Sequence, residues 1–313
     1  MSSRCEAPAV HTVAHDWRLW TVEARLVVTD PTALDHAIDI CHAITDEVDE
    51  LASRFRSDSL VRRLQATGAD NAPVPPMFTA LLREALSAAR LTDGDVDPTF
   101  GTAMERAGYP SGALAPRRPL TLSDGTSLQL VLPQASWRDL RVDEQRNLLT
   151  MPKGVLIDLG ATAKALAADW CARAITSETG VGALVSLGGD LATAGPGPEG
   201  GWQVFVQDLP TDPAQVITLT DGMAVATSST QKRRWTASGR AAHHILDPRT
   251  LTPAPMVWRS VTVAAPSAAL ANTLSTASIV RGRRAPALLA EHATAARLVA
   301  TDGSVLALNG WPI

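Results

Sequence analysis

Val155-Leu156-Ile157-Asp158-Leu159-Gly160 is the stretch from which the chain is read. An apolar run with strand character stops at Asp158-Leu159-Gly160. An Ala-rich helical segment then runs from Ala161 to about Ser177 and carries one lysine, Lys164. A second apolar run, Ala183-Leu184-Val185-Ser186-Leu187, ends in Gly188-Gly189-Asp190. Strand, glycine turn, helix, strand, glycine turn is a layout that can hold a phosphate. The first N–H groups of a helix have no partner within it, and glycine lets backbone come close to an anion. The same layout also describes an ordinary crossover whose glycines only make turns, and this stretch alone does not separate the two.

Upstream, Trp20 to Val28 alternates as a strand, with Glu23 and Arg25 on its outer face. Pro31 opens a helix from Ala33 to about Ser53, whose apolar positions, among them Leu34, Ile38, Cys41, Val48 and Leu51, recur at helical spacing. A second amphipathic helix is expected over Met77 to Arg90, after Pro73, Pro75 and Pro76. Asp97-Pro98-Thr99-Phe100-Gly101 turns into a short helix ending near Gly108, and the proline-rich 111–136 reads as surface loop with short strands. Leu140–Val142 and Asn147–Met151 bracket a turn and read as a hairpin feeding the central stretch.

Downstream, strands are expected at Gln203–Gln207, Val216–Leu219, Ala224–Thr227, Val261–Ala264 and Arg297–Ala300, with an Ala-rich helix from Ser267 to about Val280. Hairpins predominate, so the fold class is α+β with largely antiparallel sheets and flanking helices. The expected organisation is a polar N-terminal tail over residues 1–16 and a single domain over 17–313.

Composition narrows the function. With 45% hydrophobic and 19% charged residues the 313-residue chain is globular, and a net charge of -4 gives no reason to expect a nucleic-acid partner. Cys5, Cys41 and Cys171 are too few and too scattered for a disulfide framework or a zinc site. No run approaches the roughly 20 apolar residues of a membrane span, and Met1 to Asp16 holds no signal-peptide core. The expected location is therefore cytoplasmic. Of 28 basic residues only Lys153, Lys164 and Lys232 are lysines, which draws attention to the last two.

Three further segments carry polar chemistry: Thr227-Ser228-Ser229-Thr230 at a strand end, His243-His244-Ile245-Leu246-Asp247-Pro248-Arg249-Thr250, and Asn272-Thr273-Leu274-Ser275-Thr276 on a helix. Singly, each has an ordinary structural use as a cap, a turn or a packed histidine. In this order, with Asp158-Leu159-Gly160, Ala163-Lys164 and Gly188-Gly189-Asp190, the sequence resembles the ApbE family of FAD:protein FMN transferases from about Trp17 to Leu308. The most specific match is His244, Asp247, Pro248 and Thr250 to an H-x-x-D-P-x-T segment. Ser53-Arg54-Phe55 and Asp97-Pro98-Thr99 also fall where the family has similar segments.

The resemblance implies an FAD-binding cleft between two closely joined halves of the domain, with Mg²⁺ on the diphosphate. It implies transfer of FMN to a Ser or Thr hydroxyl of a partner protein, with AMP released. By the same resemblance His244 and Asp247 are the catalytic pair. Trp20, Thr21, Lys164, Gly188, Gly189, Asp190, Thr227, Ser228, His244 and Thr250 would bind the flavin nucleotide. Asn272, Thr276 and a carbonyl of the lysine-bearing helix, assigned to Ala167, would hold the metal.

The chain departs from the family at defined points. Asn272 stands at the metal-binding aspartate, Trp20 at a glycine of the first strand segment, Ser229 and Leu251 at two further glycines, and Ala165-Leu166 at the Gly-Tyr after the lysine. Two other functions stay open on the sequence: a non-catalytic flavin- or nucleotide-binding protein with an eroded metal site, and an FAD pyrophosphatase that passes FMN to water.

Overall fold

Along Ala24-Arg25-Leu26-Val27-Val28, Ala24, Leu26 and Val28 are buried in one apolar layer while Val27 faces another. That period of two places the strand in the middle of a three-layer arrangement. The computed structural model describes residues 12–106, 120–121, 127–128, 135–237 and 240–312. Its main sheet has eight strands: β1 (Val13–Leu19), β2 (Val22–Val28), β3 (Ala183–Leu187), β4 (Asp190–Ala194), β5 (Ala224–Ser229), β6 (Trp258–Ala265), β7 (Ala295–Ala300) and β8 (Val305–Leu308). They lie side by side in chain order, and every neighbouring pair is antiparallel. The α+β, largely antiparallel expectation holds.

The long excursion between β2 and β3 carries helices α1 (Leu34–Ala52), α2 (Leu60–Thr67), α3 (Pro76–Leu91), α4 (Gly101–Arg106) and α5 (Ala163–Thr179). Helix α6 (Ala268–Arg281) connects β6 to β7, with α7 (Ala285–Glu291) after it. One face of the sheet packs on α5, where Ala165, Ala167, Ala168 and Cys171 let the backbones approach closely. The other face is covered by a separate hairpin, Trp202–Val206 with Gln215–Leu219, whose Trp202, Val206, Ile217 and Leu219 meet Leu184, Leu191 and Val225. Helix α6 is buried almost all round, so neighbours rather than an amphipathic stripe orient it. Buried Asp169 of α5 accepts the Ala268 N–H at 2.9 Å and the Ala269 N–H at 3.1 Å, and Ser267 caps the Leu270 N–H. That carboxylate satisfies donors a helix cannot satisfy itself and fixes α6 against α5.

Several expectations are corrected. Strand β1 begins at Val13, inside the segment read as a polar tail; polar His15 and Asp16 obscure its alternation, and Asp16 pairs across the strands with Arg25 at 3.2 Å. Trp20 is not a strand residue: Trp20 and Thr21 form the β1–β2 turn with φ of 48° and 70°. Val155–Ile157 is a buried extended segment but not a strand. Its backbone bonds the Pro98–Thr102 turn, through Gly101 N–H to the Leu156 carbonyl and Asp158 N–H to the Pro98 carbonyl, instead of a sheet neighbour. Helix α7, strand β8 and strand Ala69–Pro73, which pairs with Leu148–Met151, were not anticipated. The reading of 111–136 lies outside the described residues apart from the paired strands Leu120–Thr121 and Ser127–Leu128 and residues 135–136. Among the described residues no helix is long and apolar enough to cross a membrane.

Candidate active site

A cavity of about 850 Å³ opens at the end of the sheet where the β1–β2 and β3–β4 turns lie. This is within the range of sites that enclose a nucleotide-sized ligand. Its walls come from those two turns, the end of β5, the N-terminal turn of α5, one face of α6, the segment after α1 and residues His244–Leu246.

Gly188 and Gly189 are the two-residue hairpin joining β3 to β4, with φ of 66° and 108°. The Gly188 N–H donates to the Glu23 carbonyl at 2.9 Å, and a Cβ there would lie 2.8 Å from Val22 Cβ. At Gly189 a Cβ would meet only the Thr227 carbonyl, at 4.0 Å, so this backbone faces open space that a ligand can share. Asp190 follows and is buried; its Oδ2 lies 3.3 Å from Lys164 Nζ, which also donates to the Gly160 carbonyl at 3.2 Å. The two halves of the opening stretch therefore meet across the cavity through one lysine.

Asp158 organises the entry into α5. Its Oδ1 accepts the Gly160 N–H at 2.8 Å, and its Oδ2 pairs with Arg54 Nε at 3.1 Å, with both side chains largely buried. Arg54 and Asp158 thus belong to the wall, a role their sequence motifs alone do not give them. Asp97, from the other upstream segment, accepts the N–H and hydroxyl of Thr99 and the Trp137 N–H, and burial raises its pKa.

His244 lines the cavity just after the strand Arg240–His243. Burial pushes its pKa down to about 3, with Arg233, His243, Lys164 and Arg54 adding to the fall. The imidazole is neutral at pH 7, and cations surround the space it faces. Asp247 is placed differently from expectation. Its Oδ1 accepts the Arg249 N–H at 2.9 Å and its carbonyl the Leu251 N–H at 2.8 Å, so it folds the Asp247–Leu251 turn and does not line the cavity. Thr250 is exposed on the same turn, its hydroxyl 2.8 Å from that of Thr252, and is likewise off the wall. Leu251, at a lost glycine, keeps a positive φ of 56°.

Trp20, Thr21, Thr227 and Ser228 line the cavity. Thr227 exchanges a hydroxyl hydrogen bond with Thr262 at 2.9 Å. Ser228 joins a corner built on α6, its hydroxyl 2.9 Å from Thr276 Oγ1 and 2.8 Å from Ser275 Oγ. In that corner Asn272 Nδ2 donates to the Ala161 carbonyl at 2.9 Å, and its Oδ1 accepts from Thr276 Oγ1 at 3.3 Å. Ala167 is not part of it. That residue is fully buried inside α5, where helix geometry commits its carbonyl, whereas Ala161 precedes the helix. The carbonyl belonging to this corner is Ala161.

The corner offers a magnesium ion only neutral oxygens, the Ala161 carbonyl, the Asn272 amide oxygen and the Ser228 and Thr276 hydroxyls, and the first already accepts an N–H. Mg²⁺ favours hard anionic ligands in a near-octahedral shell. Among the described residues there is no group of three His, Cys, Asp or Glu able to hold a metal. The residues present do not fit the ion.

Lys232, Arg233 and Phe205 also stand on the wall without having been assigned to the site from the sequence. Lys232 Nζ lies 3.1 Å from Asp208 Oδ1, and Asp208 Oδ2 accepts from Ser229 Oγ at 2.5 Å. The scarcity of lysine was the one signal that pointed to Lys232.

The sequence model of the ApbE family matches residues 19–298. A protein from Klebsiella pneumoniae (strain 342) named FAD:protein FMN transferase is 27% identical over 267 residues, covering 82% of this chain and 75% of its own. Its namesake from Escherichia coli (strain K12) is 26% identical over the same coverage. Among solved structures, the ApbE protein of Thermotoga maritima superposes with a TM-score of 0.77 at 25% identity over 95% of this chain and 97% of that one. The flavin transferase ApbE of Vibrio cholerae gives 0.74 at 21% over 96% and 98%, a likeness of fold.

Proposed function

The chain belongs to the ApbE family, and from that premise we propose that it is a flavin transferase that uses FAD and passes FMN to a serine or threonine hydroxyl of a partner protein. The acceptor oxygen bonds to the phosphorus of the FMN half, the bond from that phosphorus to the AMP phosphate breaks, and AMP leaves. The acceptor proton passes to water, or to the His244 imidazole once the bound diphosphate offsets the cations that, with burial, hold its pKa low. The relatives' shared name supports the reaction class.

One observation carries the reading to these residues. The first turn of α5, Lys164, the Gly188–Gly189 turn and His244 converge on a single cavity of nucleotide size. Phosphoryl transfer needs positioning and neutralisation of charge on the diphosphate oxygens more than covalent help. The Gly189 backbone borders open space that such oxygens can share, while the Gly188, Gly160, Thr162 and Ala163 N–H groups are bonded within the chain, and Lys164, Lys232 and Arg233 supply positive charge. Trp20 offers an aromatic face to a ring of the ligand. The magnesium implied by family resemblance does not suit the donors around Asn272, so no step here depends on it.

The test is incubation with FAD and candidate acceptor proteins, reading flavin fluorescence on denatured protein together with AMP release. Labelled acceptor and AMP in equal amounts are expected. AMP without labelled protein identifies hydrolysis to FMN, and FAD binding without AMP refutes turnover. A second reading, a flavin-nucleotide holder without chemistry, is favoured by one contact: the Asn272 amide bonded to the Ala161 carbonyl.

A further inference from the structure

We infer that this chain holds the diphosphate of its nucleotide without a divalent cation, the Asn272 carboxamide filling the place of a metal ion between α5 and α6. The inference rests on the cavity being the nucleotide site proposed above, and it concerns the corner formed by Ala161, Ser228, Asn272 and Thr276.

The direction of the Asn272 hydrogen bonds is the starting point. A carbonyl oxygen accepts and never donates, so the amide group facing Ala161 at 2.9 Å is the NH₂, and the amide oxygen turns to the Thr276 hydroxyl. The oxygens of the corner are engaged from within: Thr276 donates to the Asn272 amide oxygen, Ser275 to the Asn272 main-chain carbonyl at 3.1 Å, and the one Ser228 hydroxyl hydrogen goes to Thr276 or to Ser275. Asn272 is 6% exposed, so these bonds are not exchanged freely with water.

A carboxylate at position 272 behaves in the opposite way. It would set an oxygen against the Ala161 oxygen in a buried corner, and only a cation or a proton between them removes that repulsion. The amide carries its own donor and needs neither. The other cavity carboxylates are committed elsewhere: Asp190 to Lys164, Asp158 to Arg54 and the Gly160 N–H, Asp97 to Thr99 and Trp137, Asp49 to Arg56, and Asp95 to Arg249 and Arg281. Positive charge for the ligand comes from side chains instead. Lys164 and Arg233 stand close enough to His244 to disfavour its protonation, and an anion between them would relieve that repulsion.

The experiment is a titration of the purified protein with FAD by flavin fluorescence, in EDTA and in excess Mg²⁺, alongside Asn272→Asp. Wild type is expected to bind FAD with affinities within about twofold in the two buffers. Asn272→Asp should lose about tenfold in EDTA, as a buried group loses its hydrogen bond, and regain it with Mg²⁺. Electron paramagnetic resonance of Mn²⁺, with and without FAD, should show stoichiometric uptake by the variant and none by wild type. Thermal unfolding keeps the test open if the variant is fragile: Mg²⁺ should raise its Tm and leave wild type unmoved. A tenfold gain in wild-type FAD affinity with Mg²⁺, stoichiometric Mn²⁺ uptake by wild type, or a variant indifferent to metal in all three readouts overturns the inference. If wild type binds no FAD in either buffer, the transferase reading fails, and the Mn²⁺ and Tm comparisons without nucleotide still decide whether the corner excludes metal.

Discussion

Replacing His244 by glutamine should make the fold less sensitive to acid. In the folded chain its pKa lies near 3, against an ordinary value of 6.5, because burial and then Arg233, His243, Lys164 and Arg54 disfavour the imidazolium. Below pH 6.5 the unfolded chain binds a proton here that the folded chain refuses, so the unfolded state is favoured as pH falls. The contribution of His244 to stability is thus complete above pH 6.5 and is lost progressively down to pH 3. Each pH unit in that window costs up to about 1.4 kcal/mol, so the penalty at pH 5 reaches about 2 kcal/mol. Urea unfolding at intervals from pH 7.5 to 5 measures it. A constant offset in stability from the glutamine itself cancels in this comparison, and the loss between pH 7.5 and 5 should be about 2 kcal/mol smaller in His244→Gln. Parallel pH profiles for the two proteins would refute the reasoning, as would an NMR titration placing His244 near 6.5. Pyrophosphate added to the same NMR sample should raise the His244 pKa, since an anion beside Lys164 and Arg233 removes part of what depresses it.

Three other perturbations separate structure from site. Lys164→Met leaves Asp190 as an uncompensated buried carboxylate and should cost about 3 kcal/mol in urea unfolding; adding Asp190→Asn should restore most of that stability while FAD binding stays weak. Asp169→Ala strips the Ala268 and Ala269 N–H groups of their acceptor and should cost about 3 kcal/mol, with hydrogen exchange rising first at the start of α6. Gly188→Ala would put a methyl 2.8 Å from Val22 Cβ at a φ of 66°, and should cost about 2 kcal/mol or more and reduce FAD binding; unchanged Tm and FAD affinity would show that the β3–β4 turn has freedom the geometry denies it.

Much of this architecture was legible because its signals are local. Alternation along Ala24–Val28 and the Gly188-Gly189 pair each specify their element without help from distant residues. What escaped was set by partners far along the chain. Val155–Ile157 has the composition of a strand, yet its hydrogen bonds go to the Pro98–Thr102 turn. Asp247 and Thr250 sit in the most specific motif, yet they build a turn that Arg249 fastens to buried Asp95 at 2.9 Å, while His244 lines the cavity with Ile245 and Leu246 beside it. Motif membership marked the segment, and packing decided which of its side chains meets the ligand.

The departures from the family pattern divide in the same way. Trp20 and Leu251 replace glycines and still hold φ of 48° and 56°. At both positions the backbone takes a path that glycine makes easy and carries a strain of about 1 kcal/mol. Ser229, at a third lost glycine, lies in regular strand β5 and carries no such strain. None of the three therefore alters the frame of the site. Asn272 differs in kind, because its effect depends on which end of the amide faces which neighbour. Its own helix leaves that open, since Thr276, one turn on, could serve either end as donor or acceptor. The Ala161 carbonyl, 111 residues away, accepts only, and so turns the NH₂ toward itself. A one-atom change that reads in the sequence as a weakened metal ligand becomes in the fold a hydrogen-bond donor pointing where the ion would sit.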